Sequence, residues 1–114
     1  KDLVKTMTLR EKIEPIGKAY AAEGLQAYHY WRPVQAAPYL IWAEDGDNGD
    51  YGENQMMNQA ITGTSDYFTK KEYDPAVDKI QEIHNSLGMS WHLNSVQYED
   101  ETGLIHYEWG WEIP

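Results

Sequence analysis

Hydrophobic residues near the start of the chain recur with the period of an amphipathic helix. They stand four, three and four residues apart, which places them on one face of a helix that ends near Gly24. This apolar stripe consists of Leu9, Ile13, Ile16 and Tyr20. Thr8 is the expected N-cap, and Glu11 stands at the capping-box position. Pro15 interrupts the pattern and predicts either a kink or a later start.

A second amphipathic pattern, over residues 73–88, is the clearest helix of the sequence. Asp74 is the expected N-cap, Pro75 suits the first helical position, and Gly88 suits the position after the helix. The apolar face consists of Val77, Ile80, Ile83, His84 and Leu87. The spacing predicts that this face packs against another layer of the fold.

Five further segments have the alternating or densely apolar pattern of β-strands. They cover residues 27–33, 39–45, 54–70, 90–100 and 102–113. The last one alternates, with Ile105, Tyr107, Trp109, Trp111 and Ile113 on one face. Gly63, inside the third segment, predicts a bulge or a close approach of two backbones. The second and third strands are expected to form one hairpin, and the last two strands another.

The order of elements is therefore helix, strand, strand, long strand, helix, strand, strand. Residues 1–114 are expected to form a single domain, because the length is usual for one domain and no linker or repeat interrupts it. The predicted fold class is α+β, with a mainly antiparallel sheet of about five strands and two helices on one of its faces.

The composition and the lack of long apolar runs exclude several functional classes. The chain has no Cys, so it has neither a disulfide framework nor a cysteine-based zinc site. No apolar run approaches the ~18 residues of a membrane span, and no signal-peptide pattern is present, so no membrane association is expected.

The net charge of −10 is unevenly distributed. Residues 1–32 carry six basic and four acidic residues, whereas 33–69 and 80–114 each carry six acidic residues and no Lys or Arg. An acidic surface repels phosphate, so tight binding of nucleic acid is not expected. A chain that is basic at one end and acidic elsewhere suits head-to-tail association of identical copies, although the same acidity also serves solubility.

The acidic stretch EDGDNGDYGE (44–53) holds five carboxylates and three glycines. Counted from Asp45, it has Gly49 at position five, Asp50 at position six and Met56 at position twelve, which does not match an EF-hand loop. The favoured interpretation is a mobile hairpin tip that becomes ordered on assembly, and an irregular calcium site is the alternative.

Other candidate chemistry is weak. The four histidines, His29, His84, His92 and His106, show no metal-binding spacing, and Ser65 with Asp66 lacks a nucleophile-elbow context. An acid/base enzyme is therefore the third choice of function. No catalytic residue, metal or cofactor is predicted. The aromatic C-terminal hairpin has three possible roles: a sugar-stacking platform, a subunit interface or part of the core.

The segments ITGTSDYFTKKEYDPAVDKIQ (61–81), PYLIWAED (38–45) and YEDETGLIHYEW (98–109) resemble tail-component proteins of siphophages and of prophages in low-GC Gram-positive bacteria. The resemblance is to the tail terminator or tail-completion group and extends over about residues 8–113.

This resemblance implies a non-enzymatic structural protein of the virion tail that assembles in the host cytoplasm. It implies a homo-oligomeric, usually hexameric ring on the last ring of the tail tube, in contact with the tail tube protein and the head-connector protein, through which DNA passes without tight binding. The expected assembly interface consists of Lys12, Lys18, Asp45, Asp47, Asp50, Tyr51, Trp109 and Trp111. The alternative function is a small carbohydrate- or peptide-binding module that uses the aromatic C-terminal hairpin.

Overall fold

The computed structural model describes residues 7–31, 36–48 and 59–114, and the statements below concern these residues. The elements follow the predicted order, α-β-β-β-α-β-β. They are α1 (Leu9–Ala22), β1 (Ala27–His29), β2 (Tyr39–Asp47), β3 (Ile61–Thr69), α2 (Pro75–Ser86), β4 (Ser90–Glu99) and β5 (Leu104–Ile113).

The strands form one five-stranded sheet in the order β1-β2-β3-β5-β4. β1 runs parallel to β2, and the other neighbouring pairs are antiparallel. β2 and β3 form the first expected hairpin pair, and β4 and β5 form the second. The α+β class and the mainly antiparallel sheet are therefore confirmed, with β1 and β4 as the two edges.

Two of the predicted strands are shorter in the structure. β1 ends at His29 because Tyr30 has a φ of 74°, a left-handed conformation that interrupts an extended backbone. β3 begins at Ile61 rather than at residue 54, and part of the intervening segment lies outside the described residues.

α1 begins as the sequence predicts. The Thr8 backbone N–H donates to Oε1 of Glu11 at 2.8 Å, and the Glu11 backbone N–H donates to Oγ1 of Thr8 at 3.1 Å. These two bonds form a complete capping box. The helix continues through Pro15, so the expected later start is wrong.

α2 also has the predicted ends. The Asp74 carboxylate accepts from the backbone N–H of Ala76 at 2.9 Å, and Gly88 has a φ of 74° just after the helix. The same carboxylate accepts the hydroxyls of Tyr67 and Thr69, each at 2.7 Å, which ties the helix start to β3. Burial acts to raise the pKa of Asp74, but these three hydrogen bonds outweigh it and hold the pKa below its ordinary value.

Both helices pack on one face of the sheet around a single core. Ile16 and Tyr20 of α1 and Ile80 of α2 have no exposed surface. The core residues of the sheet are Leu40, Trp42, Ile61, Tyr67, Trp109, Trp111 and Ile113. The opposite face carries mostly polar side chains, and we call it the open face; it includes Thr62, Thr64, Asp66, His106, Glu108 and Glu112.

Gly63 allows the closest contact in this core. A Cβ at this position would lie 2.3 Å from the Trp111 ring and 2.6 Å from the carbonyl oxygen of Ala43. The predicted close approach is therefore confirmed. The register of β2 against β3 shifts between Glu44 and Gly46, so the bulge lies on the strand opposite Gly63.

Among the residues that the structure describes, no helix is both long enough and apolar enough to cross a membrane.

Candidate functional site

Trp109 and Trp111 belong to the core and not to an assembly surface. Trp109 is 0% exposed and Trp111 is 3% exposed. Their indole N–H groups are satisfied internally, by Oε1 of Gln81 for Trp109 and by Oγ of Ser65 for Trp111, both at 3.0 Å. The placement of these two residues in an assembly interface is therefore wrong, because helices cover that face of β5. Of the three roles considered for the hairpin, these two residues have the core role.

A buried polar network connects the two helices to the centre of the sheet. The Tyr20 hydroxyl lies 2.8 Å from Oγ of Ser65 and 2.7 Å from Nε2 of His84. Nδ1 of His84 has no hydrogen-bond partner. Burial lowers the pKa of His84 to about 4 and raises the pKa of Tyr20, so both side chains are neutral at neutral pH. The network is closed to solvent and holds the layers in register.

The predicted basic residues of α1 have different surroundings. Lys18 is exposed, as expected for the solvated side of the helix. Lys12 is half-buried and donates from Nζ to the carbonyl oxygen of Gln59. Lys18 is therefore the freer of the two for contact with a second molecule.

Of the four predicted acidic-loop residues, the structure describes two. The Asp45 carboxylate accepts the hydroxyls of Thr62 at 2.8 Å and Thr64 at 3.3 Å. Asp47 accepts from Nε2 of Gln59 at 3.1 Å. Asp50 and Tyr51 lie outside the described residues, as does most of the predicted loop tip.

The strongest candidate for an interaction surface is the outer edge of β4. Among the described residues, no strand pairs with this edge. Leu93, Val96 and Tyr98 are 42%, 49% and 64% exposed. Their partners in β5 are Trp109, Tyr107 and Ile105, so they lie on the helix-bearing side of the sheet, beyond the part that the helices cover. We call these three residues the β4 stripe.

Sequence reasoning missed the β4 stripe because a register shift interrupts its alternation. The shift lies between Leu93 and Ser95, so Val96 returns to the face of Leu93 after three residues rather than two. The sequence SWHLNSVQYE does indicate an apolar face on this strand, but only if a bulge at Asn94 is assumed.

The opposite side of the molecule has a groove between α1 and the first two strands. Its volume is about 410 Å³. The residues that line it are Arg10, Ile13, Glu14, Gly17, Lys18, His29 and Trp42. The floor is aromatic, and the rim carries Lys18 and an ion pair between Arg10 and Glu14 at 2.8 Å. We call this feature the α1 groove. In this groove, side chains from the basic segment of the sequence lie next to an apolar surface.

A stack of three rings borders the α1 groove. The His29 ring lies between Trp42, at a centroid distance of 4.0 Å, and Tyr30, at 4.2 Å. Glu44 accepts from Nε2 of His29 at 2.7 Å and from the Tyr30 hydroxyl at 2.6 Å. Burial acts to raise the pKa of Glu44, but these two bonds outweigh it and lower the pKa. The bonds also hold Tyr30 in its left-handed conformation.

The open face carries a cluster of titratable groups at its centre. Nε2 of His106 lies 2.7 Å from Oδ1 of Asp66, and Oε2 of Glu108 accepts from Nδ2 of Asn94 at 3.0 Å. Burial raises the pKa of the Asp66 carboxyl, because it outweighs the lowering effect of the bond from His106. Beside the cluster is a concavity of about 430 Å³, lined in part by Asp45, Asn94 and Glu112.

Comparison with known proteins adds no relative to these observations. A scan against protein-family models and a search of the curated proteins found no match to this chain.

Proposed function

We propose that this protein is a non-enzymatic structural subunit that associates with its own copies into a closed ring. The unpaired β4 edge with its exposed apolar stripe is the observation that carries this proposal. In the setting that the sequence resemblance suggests, the ring caps a phage tail tube as a tail terminator or tail-completion protein. It would then assemble in the host cytoplasm and remain in the virion tail.

The β4 edge is long and weakly protected against pairing. It spans the ten residues SWHLNSVQYE, which include neither Lys nor Pro. Soluble proteins usually protect such an edge with lysine, proline or a covering loop, because its free N–H and C=O groups recruit another strand. The protective features of the described strand are the register shift at Asn94 and the charge of Glu99 at its end. An edge of this kind with apolar side chains beside it favours regular association.

Association into a ring requires two different surfaces on each copy. β4 and β1 are the opposite edges of the sheet, and the α1 groove lies beside β1 and β2. The turn after β4 carries the exposed acids Asp100 and Glu101, whereas the rim of the groove carries Lys18 and the ion pair of Arg10 with Glu14. Apolar surface would meet apolar surface and opposite charges would approach one another, so the β4 edge of one copy suits the α1 groove of the next.

The open face supports the expected relation to DNA. It presents the carboxylates of Asp45, Asp66, Glu99, Glu108 and Glu112. Directed at a tail channel, this face would repel the phosphate backbone, so DNA would pass without tight binding. The tail tube protein and the head-connector protein are the further proposed partners.

Peptide binding is the second candidate function, and the same β4 edge favours it. An extended peptide can add to an open edge as an extra strand. Carbohydrate stacking has less support, because Trp109 and Trp111, the most buried aromatics of the hairpin, are inaccessible to a sugar ring. Self-association and peptide capture differ in one respect: only the former depends on the concentration of the protein alone.

Sedimentation velocity over a range of protein concentrations tests the proposal. Wild-type protein should associate as concentration rises, and Tyr98→Lys should shift it to monomer, because a lysine on an edge strand opposes pairing. Tyr73→Lys is the matched control, since Tyr73 is 87% exposed but lies outside the strands. It should behave as wild type.

A strict monomer at high concentration, in low salt and with tail tubes present, would reject the ring. Saturable binding of an extended peptide by that monomer, lost in Tyr98→Lys, would establish the second candidate instead. Equal effects of Tyr98→Lys and Tyr73→Lys would mean that the β4 edge is not the surface involved.

A further inference from the structure

Three potential metal ligands meet on the open face where β3 and β5 pair. Asp66 and Glu108 are direct partners in the register of these strands, and His106 stands two residues before Glu108 on the same face of β5. One ligand atom from each of the three lies within 4.8 Å of the others. Two ligands that are each about 2.0–2.2 Å from one ion are at most ~4.4 Å apart, so small side-chain rotations suffice to bring these three onto a single ion.

The charges of this cluster are poorly balanced by the protein itself. Asp66 and Glu108 face each other directly across two strands, and like charges in that position destabilise a sheet. Glu99 contributes a further carboxylate, with Oε2 at 3.6 Å from Nδ1 of His106. Three carboxylates therefore surround a single imidazole. A divalent cation among them would offset this excess of negative charge.

Neighbouring side chains already orient two of the three potential ligands, Glu108 and His106. Asn94 donates from Nδ2 to Oε2 of Glu108 at 3.0 Å, which leaves the other carboxylate oxygen of Glu108 for an ion. Phe68 stacks on the His106 ring at a centroid distance of 4.3 Å. Glu99 stands at the second ring nitrogen of His106, where metal-binding histidines usually have a carboxylate or carbonyl partner.

We propose that Asp66, His106 and Glu108 form a binding site for a divalent transition-metal ion, with Zn²⁺ as the best-matched ion. The imidazole ligand favours zinc, nickel, copper or iron over calcium and magnesium, which prefer oxygen ligands alone. The two carboxylates complete a three-residue set, and water supplies the remaining coordination. The site uses no residue of the β4 stripe or the α1 groove. It lies on the open face, and metal binding there goes beyond the proposed assembly function.

Binding of the ion requires a redistribution of one proton. The hydrogen bond between Nε2 of His106 and Asp66 places a proton between the atoms that the metal would join. Coordination uses the lone pair of Nε2, so a neutral ring must carry its proton on Nδ1, the nitrogen that faces Glu99.

Calorimetric titration of chelator-treated protein with Zn²⁺ tests the site. Wild type should bind one ion in a saturable transition that His106→Gln abolishes. Glu108→Gln should weaken binding at least tenfold, and Asn94→Ala by about tenfold, as is typical for loss of an orienting partner. Glu112→Gln is the matched control, because Glu112 lies on the same strand and face as Glu108, outside the cluster. It should leave the affinity within about twofold of wild type.

A second measurement on the wild-type chain keeps the test independent of folding defects in the variants. Zn²⁺ should shift the ¹⁵N resonance of His106 Nε2 far more than the ring resonances of His29 and His92. Zinc binding that is unchanged by His106→Gln, or weakened equally by Glu112→Gln and Glu108→Gln, would overturn the proposal. So would a His106 ring whose resonances do not respond to zinc.

Discussion

At the scale of single residues, a few buried polar side chains connect the two helices to the sheet. Tyr20, Ser65, His84 and Trp111 form a connected hydrogen-bond network inside an otherwise apolar core. The sequence places His84 on the apolar face of α2, which predicts burial, but the partner of its ring depends on Tyr20, 64 residues away. A contact of that range depends on the packing of both helices on the sheet and has no local signal.

His84 should make stability depend on pH. Its pKa is about 4 in the folded chain and 6.5 when unperturbed, so between these values the unfolded chain binds a proton that the folded chain does not. The free energy of unfolding should therefore fall as pH falls from about 6.5 towards 4, by up to about 3 kcal/mol. Denaturant melts across this range should show the loss, and His84→Gln, which does not titrate, should flatten it. An unchanged slope in His84→Gln would assign the effect to other groups.

At the scale of elements, both helices were predictable because their ends are specified locally. Thr8 with Glu11 and Asp74 with Pro75 are capping patterns that act within one turn, and both are formed. The strands were predictable in number but not in extent. β1 stops at the left-handed Tyr30, and that conformation is held by a hydrogen bond to Glu44 on another strand. Sheet order and the parallel β1–β2 pair likewise depend on long-range pairing.

The cap of α2 should contribute more than an ordinary helix cap. Asp74→Ala removes an acceptor for the Ala76 N–H and for two hydroxyls, so we expect a loss of about 2–4 kcal/mol in the free energy of unfolding. Asp78→Ala, in the same first turn but exposed, should cost less than about 1 kcal/mol. Equal losses from the two variants, measured by chemical denaturation, would contradict the role of the Asp74 network.

The lowered pKa of Asp74 also predicts how its contribution to stability changes with pH. Because it lies below its ordinary value in the folded chain, the stabilisation is present above the unfolded value and disappears as pH falls through the folded value. The difference in stability between wild type and Asp74→Ala should accordingly shrink in acid.

At the scale of the whole molecule, the candidate surfaces lie at opposite edges of one sheet. The charge asymmetry of the sequence predicts head-to-tail contact, and this stays a prediction. The prediction of Trp109 and Trp111 as contact residues is wrong, because both are buried. Aromatic residues suit an interface and a core equally well, so composition alone does not separate these roles. The position of α2 decides which part of the sheet stays uncovered. The sequence of β4 alone does not indicate that position.

Charge reversal provides the test at this scale. In the proposed ring, Lys18→Glu should weaken self-association, because it would place a like charge opposite the acidic turn of the next copy, and Glu101→Lys should do the same. The double variant should recover part of the loss. Added salt should weaken wild type more than either single variant, because the attraction is screened. Sedimentation measures these effects. If the losses of self-association in the two single variants simply add in the double variant, Lys18 and Glu101 do not interact across the interface.

The tight packing around Gly63 limits which substitutions this part of the sheet can accept. A methyl group there would be obstructed on one side by the Trp111 ring and on the other by the carbonyl of Ala43. Replacing the tryptophan with a smaller residue therefore opens only half of the space, and the backbone of β2 next to its bulge would still have to move. The glycine, the tryptophan and the bulge are therefore coupled, so a single substitution at Gly63 or Trp111 disturbs the packing of all three.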